Sequence, residues 1–270
     1  MEKLQKNGRQ AWRCWLDSLV DLFFPAHCLQ CRLRLSQDKK LLLCDDCLEQ
    51  LSYITPPYCV RCGHPFLAGE SHLCGTCLIT PPAYDRVRSL AFYQEPLSNL
   101  LMALKYQGDI SVLSTIGELC QTYLALESFA QQVDLIIPVP LHPARLRKRG
   151  FNQAQLLAAC CFPDQIHLLR PDVLMRRKNT IPQTQLSGVE RRQNLSGIFV
   201  LSKTVSMRGK RIILVDDVFT TGSTVNECAK VLRRAGADEI LVFTPARSAL
   251  YPVQTNLAPR GKTHSISQVG

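Results

Sequence analysis

Eight of the 13 cysteines in this 270-residue chain fall into four Cys-x-x-Cys pairs: Cys28/Cys31, Cys44/Cys47, Cys59/Cys62 and Cys74/Cys77. The pairs are separated by 12, 11 and 11 residues. Two intervening residues let one tight turn present both sulfurs to a tetrahedral Zn²⁺, and a second such turn closes the site. The spacing therefore predicts two structural Zn²⁺ sites of four cysteines each. Sequential pairing, Cys28/Cys31/Cys44/Cys47 then Cys59/Cys62/Cys74/Cys77, makes each half self-contained and is preferred; an interleaved pairing of first with third and second with fourth stays open. His27, His64 and His72 lie close enough to substitute, yet eight cysteines already fill two sites. A disulfide framework would need an oxidising compartment. The start, Met1-Glu2-Lys3-Leu4-Gln5-Lys6, leads into a stretch broken by Arg13, Asp17 and Asp21, which is no secretory signal. With no run of about 18 apolar residues to span a membrane, a cytoplasmic location is expected. Cys14, Cys120, Cys160, Cys161 and Cys228 have apolar neighbours and read as core.

The second chemical signal is Arg211-Ile-Ile-Leu-Val-Asp-Asp-Val-Phe-Thr-Thr-Gly-Ser-Thr224. An apolar strand ends in two adjacent carboxylates, Asp216 and Asp217, before a hydroxyl-rich loop opens the next helix. Such a loop offers backbone N–H groups and a helix N-terminus to a phosphate, with Thr220, Thr221, Ser223 and Thr224 adding hydroxyls. Gly222 lets the backbone approach the anion. Two carboxylates at a strand end suit the vicinal hydroxyls of a ribose, at the place where ligands bind in open α/β sheets. The segment is neither a Walker loop nor Gly-x-Gly-x-x-Gly. Upstream, Pro138-Val139-Pro140-Leu141-His142 follows a buried strand and runs into Arg145, Arg147, Lys148 and Arg149. These cations can neutralise a leaving anion in fixed geometry; a solvated basic turn is the plainer reading.

Elements must carry these groups. The chain is 46% hydrophobic with a net charge of +10, which excludes a disordered chain and supports a full core. Between 141 and 211 there are 14 basic and 3 acidic residues, so the excess sits beside the phosphate signature. Trp12, Trp15, Leu16, Leu19, Val20, Phe23 and Phe24 recur at helical spacing, which predicts an amphipathic helix ending at 24. A double zinc module follows over 25–80, closed by the stiff Thr80-Pro81-Pro82. Strands are expected at Val87–Tyr93, Val133–Pro140, Gln165–Leu169 (weakly), Arg211–Val215 and Glu239–Thr244. Helices are expected at Pro96–Tyr106, Ser111–Ala130, Asn152–Cys161 and Ser223–Ala235, with a polar, basic loop over Met175–Ser196. Alternating strands and helices, with unbroken Val/Ile/Leu strands, predict an α/β domain over 81–247: a parallel sheet with helices on both faces. The stretch 248–270 reads as a disordered tail.

The loop at 216–224 resembles the 5-phosphoribosyl-1-pyrophosphate (PRPP) loop of type I phosphoribosyltransferases. That resemblance implies that Asp216 and Asp217 hold the ribose hydroxyls and that Thr220, Thr221, Gly222, Ser223 and Thr224 hold the 5′-phosphate. It also implies that the Pro140-Leu141-His142 loop, with Arg145 and Arg149, holds pyrophosphate, and that Mg²⁺ accompanies PRPP. The ordered set of four Cys-x-x-Cys pairs, Leu104-Lys105-Tyr106-x-Gly-Asp109, Pro138-Val-Pro-Leu-His142, Arg149-Gly-Phe-Asn-Gln153, Gln183-Thr-x-Leu186, Arg191-x-x-Asn194 and Val215-Asp-Asp-Val-x-Thr-Thr-Gly-x-Thr224 resembles the ComF family of competence proteins. Membership implies an accessory role in natural transformation: assisting single-stranded DNA into the cytoplasm, beside other uptake proteins at the inner membrane. The alternative is a phosphoribosyltransferase of nucleotide salvage or DNA-nutrient use, displacing pyrophosphate from PRPP in favour of an acceptor that the sequence does not reveal. On the DNA-uptake reading, Arg176, Arg177, Lys178, Arg191 and Arg192, on a polar stretch free to reach outward, take the DNA phosphates.

Overall fold

The computed structural model describes residues 26–36, 41–177, 197–202 and 206–249. The expected N-terminal helix, the tail beyond 249, and the motifs at Gln183–Leu186 and Arg191–Asn194 lie outside the described residues. So do Lys178, Arg191 and Arg192.

The frame is a parallel sheet in the order β1-β7-β5-β2, made from β1 (Arg86–Phe92), β2 (Leu135–Pro138), β5 (Arg211–Val215) and β7 (Glu239–Arg247), with the short β6 (Val218–Phe219) continuing alongside β7. Side chains alternate across the pleat, so one strand feeds two cores. Ile213 and Val215 of β5 join Leu90, Ile136, Leu241 and Phe243 on one face. Ile212 and Leu214 join Val87, Ile137, Ile240 and Val242 on the other. The first face is covered by α3 (Leu97–Met102), α4 (Val112–Leu126) and α6 (Gln153–Cys161). The second is covered by α7 (Ser223–Arg234) and by an antiparallel pair, β3 (Leu174–Arg176) with β4 (Phe199–Leu201). The expected α/β sheet with helices on both faces is present.

Several boundaries differ for physical reasons. The helix expected over Ser111–Ala130 stops at Leu126 because Glu127 turns extended (φ −102°, ψ 122°), and its carboxylate is taken by Arg88 and Tyr58. Beyond Met102 the Pro96–Tyr106 helix widens into a π-helical turn, Ala103–Gln107, before left-handed Gly108. The weak strand expected at Gln165–Leu169 is instead a 3₁₀ stretch, Pro163–Leu168, opened by a proline at its first turn. Only Leu169 reaches the sheet, in a single bridge to Ile136. The basic run after His142 is not a turn but a helix, α5 (Pro143–Arg149). The last strand runs three residues past Thr244, through Pro245, to Arg247. Proline lacks the ladder N–H, and Pro245 falls where β5 has ended (Val215 opposite Phe243) and β6 begins (Val218 opposite Ala246).

The cysteine segments form two similar knuckles. Each has an antiparallel bridge flanking the first pair, His27 with Arg34 and Tyr58 with Pro65. In each, a short helix starts directly after the third cysteine: α1 (Asp45–Glu49) carries Cys47 and α2 (Gly75–Ile79) carries Cys77. The chain between the knuckles pairs with the exposed side of β1: Ile54 N donates to Leu90 O at 3.0 Å and Phe92 N to Ser52 O at 2.9 Å. Covering that edge protects an open strand. The knuckles then part to opposite faces of the sheet, Cys28, Cys44 and Cys47 packing into one core and Cys59, Cys62 and Cys77 into the other. No helix among the described residues is long and apolar enough to cross a membrane.

Candidate functional site

The ligand atoms of Cys28, Cys31, Cys44 and Cys47 lie within 4.8 Å of one another, as do those of Cys59, Cys62, Cys74 and Cys77. The pairing is sequential, and both clusters are all-cysteine; His27, His64 and His72 are not members. The donor set fits Zn²⁺ in number and softness. Backbone N–H groups already point at the sulfurs: Cys62 N and Cys74 N lie 3.4 and 3.3 Å from Cys59 Sγ. Burial alone would raise the Cys28 and Cys59 thiols, but backbone donors outweigh it, those of Cys31, Cys44 and Gln30 bringing Cys28 down to about 6 and those of Cys74, Cys62 and Arg61 bringing Cys59 down to about 7. Burial and the crowding of neighbouring sulfurs push Cys47 and Cys77 strongly upward. Four thiols this close cannot all ionise without a cation among them, and a metal supplies it.

The phosphate signature sits at the C-terminal end of β5. Val218 N donates to Asp217 Oδ1 and Asp217 N to Asp216 Oδ1, both at 2.9 Å, which orients the carboxylates around a tight turn. Gly222 then caps α7 with φ +73°. A Cβ there would fall 2.6 Å from the Phe219 ring and 3.2 Å from the Tyr84 hydroxyl, so glycine is required twice over.

A cavity of about 720 Å³ opens over the carboxylate pair. It is lined by Asp216, Asp217, Thr220 and Thr224, by Val139, Pro140 and Leu141 after β2, and by five cations: Lys105, Arg145, Lys148, Arg149 and Arg176. Five basic side chains against two acidic ones give the cavity a positive lining. On α5 the i, i+3, i+4 spacing places Arg145, Lys148 and Arg149 on the face toward the cavity, while Arg147 is not among its lining residues. His142 faces the helix rather than the ligand space: its Nδ1 accepts from Ala144 N at 3.2 Å and caps α5. Of the loop hydroxyls only Thr220 and Thr224 line this cavity. Thr221 and Ser223 bond each other at 2.8 Å and, with Gly222, line a cleft of about 870 Å³ on the loop's other side, against the second cysteine cluster. That cleft is larger but holds neither carboxylate of the pair nor any residue of the basic helix; these meet at the smaller cavity.

Two residues here escaped functional assignment from sequence. Lys105, at the π-helical turn, places Nζ 2.8 Å from Asp217 Oδ2. Desolvation would lower its ammonium, but the Asp217 charge outweighs this and raises it, so Lys105 stays protonated. Gln153, at the start of α6, donates to the same oxygen at 3.4 Å and accepts from Arg149. The chain Arg149–Gln153–Asp217–Lys105 ties the basic helix to the carboxylate pair. Both residues stand inside the sequence motifs at 104–109 and 149–153, a signal that marked them without revealing what they touch. Burial, reinforced by the Asp217 charge, pushes the Asp216 carboxyl up to about 8. Arg176, expected to reach outward, is half-buried and lines the cavity, its guanidinium 5.6 Å from the Phe199 ring centre. The central basic segment is thus divided: part surrounds the cavity, while Arg170 and Lys210 are paired with Asp172 and Asp134.

Residues 19–78 match the double zinc ribbon domain and residues 168–254 the phosphoribosyl transferase domain. Competence protein F of Haemophilus influenzae is 38% identical over 234 residues, covering 84% of this chain and 99% of the relative. A DNA utilization protein of Escherichia coli O157:H7 is 36% identical over the same shares. Competence protein ComFC of Bacillus subtilis is 29% identical, covering 82% of this chain and 95% of that protein. With a double zinc ribbon leading into a phosphoribosyltransferase sheet, and similarity along almost the whole of these relatives, this chain belongs to the ComF family of competence proteins.

Proposed function

We propose that this protein is an accessory of natural transformation and DNA utilisation that assists single-stranded DNA into the cytoplasm and binds PRPP, or a related phosphoribosyl ligand, with Mg²⁺. The names of its relatives support the first half. The observation that carries the second is the cavity in which a paired carboxylate turn, a hydroxyl loop at a helix N-terminus and a cationic helix face one space. On this reading Asp216 and Asp217 accept from the ribose hydroxyls. Thr220 and Thr224, with the loop backbone, take the 5′-phosphate, and the Pro140-Leu141 backbone with Arg145, Lys148 and Arg149 takes the pyrophosphate. Bound Mg²⁺ would neutralise part of the phosphate charge. Lys105 and Gln153 hold Asp217 in place. The same arrangement suits pentosyl transfer to an amine or base, which the intact carboxylate pair favours as a second reading.

Calorimetry with PRPP and MgCl₂ tests the pocket. Replacing Arg145, Lys148 and Arg149 by Ala should abolish binding; unchanged affinity refutes the assignment. Single-stranded DNA binding should fall with salt at a slope of about 0.7 per phosphate neutralised. If DNA is held elsewhere, the triple variant keeps that slope; if PRPP displaces DNA stoichiometrically at fixed ionic strength, both share the cavity. A transformation assay on a deletion strain complemented by this gene decides the cellular role.

A further inference from the structure

The second cysteine cluster and the phosphate loop are connected by one buried side chain. Arg247, the last residue of β7, is 3% exposed. Its guanidinium donates to the backbone carbonyl of Cys62, a member of that cluster, and lies 4.6 Å over the Phe219 ring. Phe219 is also its register partner, since β6 pairs with β7 there. The same ring lies directly beneath Gly222, where a Cβ would be 2.6 Å away, and meets Tyr84 edge-on at 6.2 Å. Gly63, next to Cys62, closes the assembly: its φ is +69°, and a Cβ would come within 2.9 Å of Val87 O on β1.

The charge arrangement gives this contact a purpose. Four thiolates around Zn²⁺ leave a net charge of −2, and a buried arginine needs compensating negative charge. The Cys62 carbonyl holds the Arg247 guanidinium, and the ring under that guanidinium lies against the turn that begins the phosphate loop. Without the metal the Cys59/Cys62 turn loses the tie that fixes the Cys62 carbonyl, so Arg247 and the ring beneath Gly222 lose their anchor.

We propose that Arg247 is a positioning residue that couples zinc occupancy of the Cys59/Cys62/Cys74/Cys77 cluster to anion binding on the phosphate loop, so that each stabilises the other. The Cys28/Cys31/Cys44/Cys47 cluster, packed on the opposite face of the sheet, is not coupled in this way. The proposal rests on the reading of residues 216–224 as an anion-binding loop.

Linkage requires reciprocity: a ligand bound more tightly when this cluster holds zinc must raise the cluster's zinc affinity by the same factor. The test uses the full-length, zinc-loaded protein. A colorimetric chelator reads zinc release with and without PRPP and MgCl₂, and mass spectrometry of alkylated cysteines assigns each released zinc to its cluster. PRPP should protect the second cluster at least 5-fold and leave the first unchanged. Arg247→Gln should retain close to two zincs yet lose the protection, and Arg247→Lys should restore part of it. Because Arg247→Gln can fail to fold, Phe219→Leu, which removes the ring and keeps an apolar side chain, is run beside it and should also lose the protection. Equal protection of both clusters, or full protection in both variants, overturns the proposal. If PRPP does not bind the parent at all, the ligand reading fails instead. Hydrogen exchange at 218–224 then still tests the coupling: selective zinc loss from the second cluster must raise exchange there, and unchanged exchange refutes it.

Discussion

Gly222→Ala puts the geometry of the loop to a quantitative test. Two separate costs are written into the position. A non-glycine residue in the left-handed region loses about 1–2 kcal/mol, and Gly222 has φ +73°. The added methyl would also fall 2.6 Å from Phe219 Cζ, and forcing a carbon into a packed site costs about 1–3 kcal/mol. Together these predict a loss of about 2–5 kcal/mol. Gly209 supplies the control, with φ +69° and nothing within 4 Å of its would-be Cβ. Gly209→Ala should therefore lose only the backbone part, about 1–2 kcal/mol. Urea denaturation of both variants beside the parent gives the comparison, provided the slopes agree. The excess loss in Gly222→Ala should shrink in a Phe219→Leu background, where the clash is relieved. Equal losses for the two glycines, or an excess untouched by Phe219→Leu, would refute the claim that the ring floors the loop.

Three other outcomes follow from the same structure. The Asp216 carboxyl, pushed up to about 8, stays protonated in the fold where the unfolded chain has ionised it, so the folded state binds more protons above about pH 4. Its burial therefore lowers stability as pH rises from about 4 toward about 8, and Asp216→Asn should flatten that part of the stability–pH curve; a parallel curve for the variant would contradict it. Glu127 takes both Arg88 Nε at 3.3 Å and the Tyr58 hydroxyl at 2.9 Å, so Glu127→Ala leaves the buried Arg88 without its carboxylate and should cost about 3 kcal/mol in denaturation, while Glu127→Gln should lose less. Elemental analysis under reducing conditions should find close to two zincs per chain; since Cys28 and Cys59 are part of the two cores beside the sheet, Cys28→Ser should lower the melting temperature of the whole protein rather than of a detachable module.

Local chemistry was legible in the residues. A Cys-x-x-Cys turn brings its two sulfurs together over four residues, and the strand–carboxylate–hydroxyl–glycine run carries its own strand, turn and helix start. Alternating apolar strands and helices likewise announced a covered parallel sheet, because burial on both faces demands unbroken Val, Ile and Leu. The basic run at 145–149 was legible as cations but not as one cationic face, since seven residues give a helical period too little length to declare itself.

Tertiary structure decided what these parts face. Nothing in residues 28–77 says that two similar knuckles pack on opposite sides of one sheet; that follows from the intervening segment pairing along the edge of β1. Lys105 is one lysine on a helix until the sheet brings Asp217 to 2.8 Å, and Arg176 belongs to a basic loop until β3 turns it into the cavity. Arg247 reaches a carbonyl 185 residues earlier in the chain. Periodicity and spacing report which side of an element is apolar and which groups share a turn. Contacts between distant segments depend on how buried faces stack, and that was settled only when the sheet and its covering elements closed around one another.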